Sequence, residues 1–137
     1  MNILLDTNVI LDTLLGREPY NNHSDAIFEM IADNKISGYI NTSSVTDIYY
    51  VLRKKFSDID SREKIRTLLT LLCTIDVTKT DLLAALDSPI TDFEDALVAT
   101  CADKAGLDFT VTRDTEFLKN EKTITPNEFL EMFFYLE

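Results

Sequence analysis

Asn2-Ile3-Leu4-Leu5-Asp6-Thr7-Asn8-Val9-Ile10-Leu11-Asp12-Thr13-Leu14-Leu15-Gly16 opens the chain with two different periodicities in direct succession. Residues 2–6 carry an unbroken apolar run that closes on Asp6, the pattern of a strand buried on both faces. From Asn8 to Leu15 the apolar residues recur at helical spacing, and Gly16 suits the left-handed end of a helix. A strand therefore passes straight into a helix at Asp6-Thr7-Asn8.

The alternation continues. Helical patterns cover 24–33, 43–56, 60–72, 81–86, 92–105 and 127–135, with strand-like runs at 38–41, 74–77 and 109–112 and a turn or helix at 114–118. Ser88-Pro89 interrupts the pattern, Asp92 starts the clearest helix, and Pro126 suits a helix start. Strands separated by helices require right-handed crossovers. The expected fold class is α/β, a three-layer αβα sandwich with a central parallel sheet flanked by helices.

The length of 137 residues and 45% apolar content predict a single domain over 1–137. No targeting pattern is visible and no stretch approaches the roughly 20 apolar residues that a bilayer requires, so a soluble, cytoplasmic protein without a membrane partner is expected. Cys73 and Cys101 sit in helix-like apolar patterns and are expected to be reduced core residues. The net charge of −11 argues against a protein that coats nucleic acid, because backbone binding rewards Lys and Arg. An acidic cleft whose charge is cancelled by metal cations still admits RNA.

In an open parallel sheet, ligands sit beyond the carboxyl ends of the strands. Asp6 ends the first strand and Asp114 follows the last strand-like run by two residues. Asp95 lies one turn into the helix begun at Asp92, and Asp47 lies in the first turn of the helix begun near Ser43. Four carboxylates from distant segments are thus expected at one end of the sheet. Such a cluster repels itself unless a cation neutralises it, and with oxygen ligands alone on offer the expected cofactor is Mg²⁺ or Mn²⁺. The same residues also fit plain helix capping: Asp6, Asn8, Asp92 and Asp114 are favoured cap residues, and Ser44 to Asp47 has capping-box spacing.

Four segments together carry a resemblance across essentially the whole chain: Leu4-Leu5-Asp6-Thr7-Asn8-Val9-Ile10-Leu11-Asp12, Thr42 to Leu52, Asp92-Phe93-Glu94-Asp95-Ala96-Leu97 and Val111-Thr112-Arg113-Asp114-Thr115-Glu116-Phe117. The sequence resembles a PIN domain. That resemblance implies a metal-dependent endoribonuclease that hydrolyses RNA phosphodiester bonds with Asp6, Asp95 and Asp114 as metal ligands. It makes Asn8 and Thr112 neighbours that orient ligands or water, and puts Asp47 where the family usually has a longer Glu. Asp92 and Glu94 are additional acids beside Asp95, each a ligand or a solvated residue of a helix's first turn.

A PIN domain of this length also resembles the VapC-type toxin of type II toxin–antitoxin pairs, which implies an RNA substrate, a small antitoxin protein as partner and a homodimer. Arg53-Lys54-Lys55 and Arg113 are candidate phosphate contacts, the former equally a helix C-terminus dressed with cations. Tyr49 and Tyr50 are candidate base-stacking residues, with core packing the better expectation for at least one, and His23 is expected at the surface. Phe129, Met132, Phe133, Phe134 and Tyr135 exceed one apolar stripe, which suggests a subunit interface. The alternatives are a non-catalytic PIN-like module that binds RNA or protein and a housekeeping RNA-processing nuclease. A phosphotransferase of the haloacid dehalogenase type fits less well, since it needs a second Asp where Asn8 stands, and a receiver-like domain lacks its late-strand Lys.

Overall fold

The structure is a computed structural model and describes residues 1–136. Its elements run β1 (Asn2–Leu5), α1 (Thr7–Leu15), α2 (Asn21–Ala32), β2 (Ser37–Asn41), α3 (Val45–Leu52), α4 (Asp58–Leu71), β3 (Cys73–Ile75), α5 (Lys79–Leu86), α6 (Phe93–Lys104), β4 (Phe109–Val111), β5 (Thr123–Ile124) and α7 (Pro126–Leu136). The five strands form one parallel sheet in the order β3-β2-β1-β4-β5, with Leu5 of β1 beside Val111 of β4.

β1 lies at the centre because its side chains are apolar on both faces. Ile3 and Leu5 point into one core, which they share with Val9, Ile10, Ile27, Ile48, Leu68 and Phe129 from α1, α2, α3, α4 and α7. Leu4 points the other way, into a smaller core with Ala85 of α5 and Ala96, Leu97 and Cys101 of α6. Two helical layers therefore enclose the sheet. This is the expected three-layer α/β sandwich.

Gly38 of β2 is required by packing. A Cβ there would lie 2.5 Å from Ile31 Cδ1 and 2.8 Å from Leu72 Cδ2, so α2 and the end of α4 approach the sheet only because the side chain is absent. No described helix is long and apolar enough to cross a membrane.

Several boundaries differ from expectation. The helix expected over 43–56 is shorter: a single 3-10 turn over Thr42–Ser44 precedes α3, and after Leu52 the Lys54 and Lys55 amides donate to the Val51 and Leu52 carbonyls, tightening the chain into turns. α4 begins before Asp60 because Ser57 caps it, accepting from Asp60 N at 3.1 Å, and α5 begins before Asp81 through a capping box of Thr78 and Asp81. β5 was not expected, being two residues long within a polar stretch. Cys101 is buried, but Cys73 is exposed, a correction to its expected place in the core: it starts β3, an edge strand of the sheet.

Phe129 is fully buried where α7 closes the larger core. Phe129→Ala should destabilise the protein by about 3–5 kcal/mol in urea-induced unfolding, and a loss below about 1 kcal/mol would show that α7 is not part of the core.

Candidate active site

The strand order reverses direction at β1, whose successor β2 lies on one side and β4 on the other. The crevice beyond the carboxyl ends of β1 and β4 is the place where such sheets hold ligands. Asp6 and Thr112 follow these two strands directly, and their side-by-side register brings Thr112 Oγ1 to donate to Asp6 Oδ2 at 2.7 Å. The other oxygen, Asp6 Oδ1, accepts from Thr7 N at 2.9 Å and so caps α1. Capping and site-building are one arrangement at this residue.

Asn8 and Thr112 tie the neighbouring pieces together. Asn8 Nδ2 donates to Asp6 Oδ2 at 3.4 Å and lies 3.5 Å from Thr112 Oγ1, while Asn8 Oδ1 accepts from Arg113 N at 3.4 Å. Thr112 Oγ1 also accepts from Asp114 N at 3.1 Å, which sets the position of Asp114. Asp114 Oδ1 in turn accepts from Glu116 N at 3.0 Å and holds the following turn. From the opposite layer, Asp92 caps α6 by accepting from Asp95 N at 2.9 Å and presents Asp95 in the first turn.

Asp6, Thr7, Asn8, Leu11, Arg17, Asp92, Glu94, Asp95 and Asp114 line one open cleft of 280 Å³. An adjoining hollow of 530 Å³ shares Asp92, Asp95 and Asp114 and extends to Lys119 and Asn120. Asp47 does not line the cleft. It is exposed at the start of α3, where its charge acts on Glu94, and Ser44 makes no capping bond that would otherwise account for the segment.

Crowding of acids shows in their proton affinities. Burial first, then Asp92, Asp6, Asp114 and Glu94, pushes the Asp95 carboxyl up to about 7. Burial likewise raises Asp6, against the opposing hydrogen bonds from Thr112 and Thr7 N, and Glu94 is raised by partial desolvation and by Asp47, Asp6 and Asp92. Among the described residues, no three His, Cys, Asp or Glu side chains are already grouped to hold a metal ion; the carboxylates ring the cleft. The donor set still suits a hard cation, which keeps most of its waters and needs only one or two carboxylates.

The other candidates lie elsewhere or are engaged. Arg113 directs its Nε and Nη2 to the two oxygens of Asp12, at 2.7 and 2.9 Å, and stacks 4.1 Å over Tyr20. Arg53 Nη1 bonds the Phe56 carbonyl and Lys55 Nζ the Leu15 carbonyl, away from the cleft. Tyr49 donates to Asp58 and packs edge-on against the exposed Tyr50, both outside the cleft, and His23 is exposed. Arg17 and Thr7, which line the cleft, drew no attention in the sequence. The signal for Arg17 was Gly16, whose left-handed conformation (φ 63°) turns the chain back at the end of α1.

A model of the PIN domain matches residues 2–116, and the chain belongs to the PIN-domain family. Among solved structures it is similar to a toxin–antitoxin complex from Klebsiella pneumoniae (18% identity, 90% of this chain and 97% of that one, TM-score 0.69). It is also similar to VapC20 from Mycobacterium tuberculosis, a toxin that cleaves the sarcin–ricin loop (14% identity, 85% and 93%, TM-score 0.67), and to VapBC2 from Rickettsia felis bound to a promoter DNA fragment (18% identity, 91% and 97%, TM-score 0.65). At these identities the likeness is one of fold. No curated protein matches the sequence significantly.

The raised Asp95 carboxyl has a defined sign. Its folded-state value lies above the ordinary carboxylate value of about 3.9, so the stability it contributes is greatest below about pH 4 and is lost as pH rises to about 7. Metal-free Asp95→Asn protein should therefore melt above the wild type at pH 8, by about 3–8 °C, with the margin shrinking toward pH 5. A margin independent of pH would refute the assignment of this proton to Asp95.

Proposed function

We propose that this protein is an endoribonuclease that uses Mg²⁺ or Mn²⁺ to hydrolyse RNA phosphodiester bonds. The observation that carries this reading is the meeting of Asp6, Asp95 and Asp114 in one cleft beyond the carboxyl ends of β1 and β4. Hydroxyl, amide and carboxylate oxygens surround it, and no His or Cys lines it. Asp6, Asp95 and Asp114 would hold the cation, with Asp92 and Glu94 beside them and Asp47 contributing charge from outside the lining. A bound Mg²⁺ or Mn²⁺ supplies acidification of a water and neutralisation of charge on the scissile phosphate.

The chain's own residues supply the rest. Thr112 and Asn8 hold the Asp6 carboxylate by its Oδ2, so that its orientation does not depend on the cation. Thr112 fixes the Asp114 backbone through the same hydroxyl, which couples the two ligands. Burial and the surrounding acids raise the Asp95 carboxyl to about 7, and a cation offsetting that charge would favour its ionised form.

Within this reading the protein is the toxin of a type II toxin–antitoxin pair and acts in the cytoplasm. Support comes from the fold shared with the Klebsiella, Mycobacterium and Rickettsia proteins. A small antitoxin with a basic residue would complement the acidic cleft. Exposed Phe134 and Tyr135 on α7 support a homodimer through that helix.

Purified protein is tested on end-labelled single-stranded and structured RNAs with Mg²⁺, Mn²⁺ or EDTA. Cleavage should require the metal and fall more than about 100-fold in Asp6→Asn and Asp95→Asn. Folded wild-type protein that binds neither Mn²⁺ nor cuts RNA would point to a non-catalytic binding module. Thr112→Val, which leaves every carboxylate in place, should lower activity about 10–100-fold and weaken Mn²⁺ binding in a titration; undiminished activity would remove the hydroxyl from the site.

A further inference from the structure

Asp12 is 1% exposed and lies one turn after Asn8 on α1. A buried carboxylate needs a cation, and Arg113 provides one with a two-pronged contact at 2.7 and 2.9 Å while its plane rests on Tyr20. That one arginine suffices. Arg17 nevertheless stands against the same carboxylate, with its Nη1 3.6 Å from Asp12 Oδ1, an ion pair too long to be a hydrogen bond.

One buried anion between two guanidinium groups leaves one positive charge over. Arg17 makes no side-chain hydrogen bond among the described residues, so its donors are unspent, and about a third of its side chain is exposed. It is the one cation among the described residues that line the acidic cleft. Its backbone is fixed by Gly16 and by donation of Arg17 N to the Asp12 carbonyl at 2.9 Å. Asp12 holds the guanidinium, and among the described residues the only ion pair Arg17 makes is with Asp12. It has not collapsed onto Asp6, Asp95 or Asp114, where it would take the place of a cation.

We propose that Arg17 grips a phosphate of single-stranded RNA at the rim of this cleft, with Asp12 as the positioning residue that holds it there; the assignment rests on the nuclease reading above. A phosphodiester is an anion that five acidic residues repel, and a planar guanidinium matches two of its oxygens at once. Contact with phosphate rather than base makes the grip independent of sequence. Lys119, the cation of the adjoining hollow, is occupied by Glu116 at 3.1 Å.

The test uses an end-labelled, mixed-sequence 20-nucleotide RNA and Asp6→Asn protein, expected to bind without cutting, titrated with Mg²⁺ present over a range of KCl. Arg17→Ala added to this background should weaken binding about tenfold and make the slope of log affinity against log salt shallower by about 0.7, the value for one lost contact on a single strand. Arg17→Lys should recover most of the slope and part of the affinity. Made singly in the wild-type protein, the same two substitutions should leave the melting temperature unchanged and should not weaken Mn²⁺ binding, a result that a merely structural arginine would not give together with the altered slope. Equal affinity and equal slope in Arg17→Ala, with wild-type cleavage intact, overturns the assignment and leaves the nuclease reading standing. Absence of RNA binding by the Asp6→Asn parent, with no cleavage by the wild type, overturns both.

Discussion

The hydrogen bond from Thr112 to Asp6 joins residues 106 positions apart in the chain, and the cleft depends on it. It exists because β1 and β4 are parallel neighbours in register, with Leu5 opposite Val111, so the residue after each strand emerges beside the other. Parallel pairing makes this possible: both strands end at the same edge, and a polar residue placed there by each is brought into contact without a loop having to reach. Asn8, Asp114 and the start of α1 then take their positions from this one pair.

Around it the protein balances charges of opposite kind. Five acids crowd the cleft, held there by the sheet and by α6, and burial together with their mutual repulsion raises the Asp95 carboxyl. Immediately behind, the buried Asp12 sits between two arginines. Five acids and one cation, Arg17, therefore line the cleft, and Asp12 at the buried face of α1 ties that cation to the body of the fold. A helix this apolar tolerates Asp12 in its buried face only because Arg113 arrives from β4's end to meet it.

Much of this was legible in sequence. The run from Ile3 to Leu5 is apolar on both alternating faces, and that pattern defines a central strand. Asp6 and Asp114 could be placed because they follow strand-like runs, and Asp95 because Asp92 is a recognisable cap. What stayed hidden depends on partners distant in sequence. Nothing local distinguishes the Arg113 that clasps Asp12 from one that faces solvent, and β5 is a strand only because β4 lies beside it. Cys73 looked like a core residue because neighbouring Leu71 and Leu72 are apolar, whereas its exposure follows from the edge position of β3. Asp47 is similar: its helix was foreseen, but its place outside the cleft lining, beside Glu94, is set by how the layers pack.

The wide separation of Asp6 from Thr112 also orders events in time. β1 is separated from its partner β4 by two other strands and six helices, all made before β4, and the two must pair at the sheet's centre. Contacts of such long sequence separation form slowly, because the intervening chain must be closed into a loop first. Residues up to α6 can therefore collapse into helical layers while the cleft has only half its walls. Until β4 is made, a growing chain carries Asp6 and Asp95 without the Thr112 hydroxyl that orients the first and without Asp114, so the cleft is complete only once β4 pairs with β1.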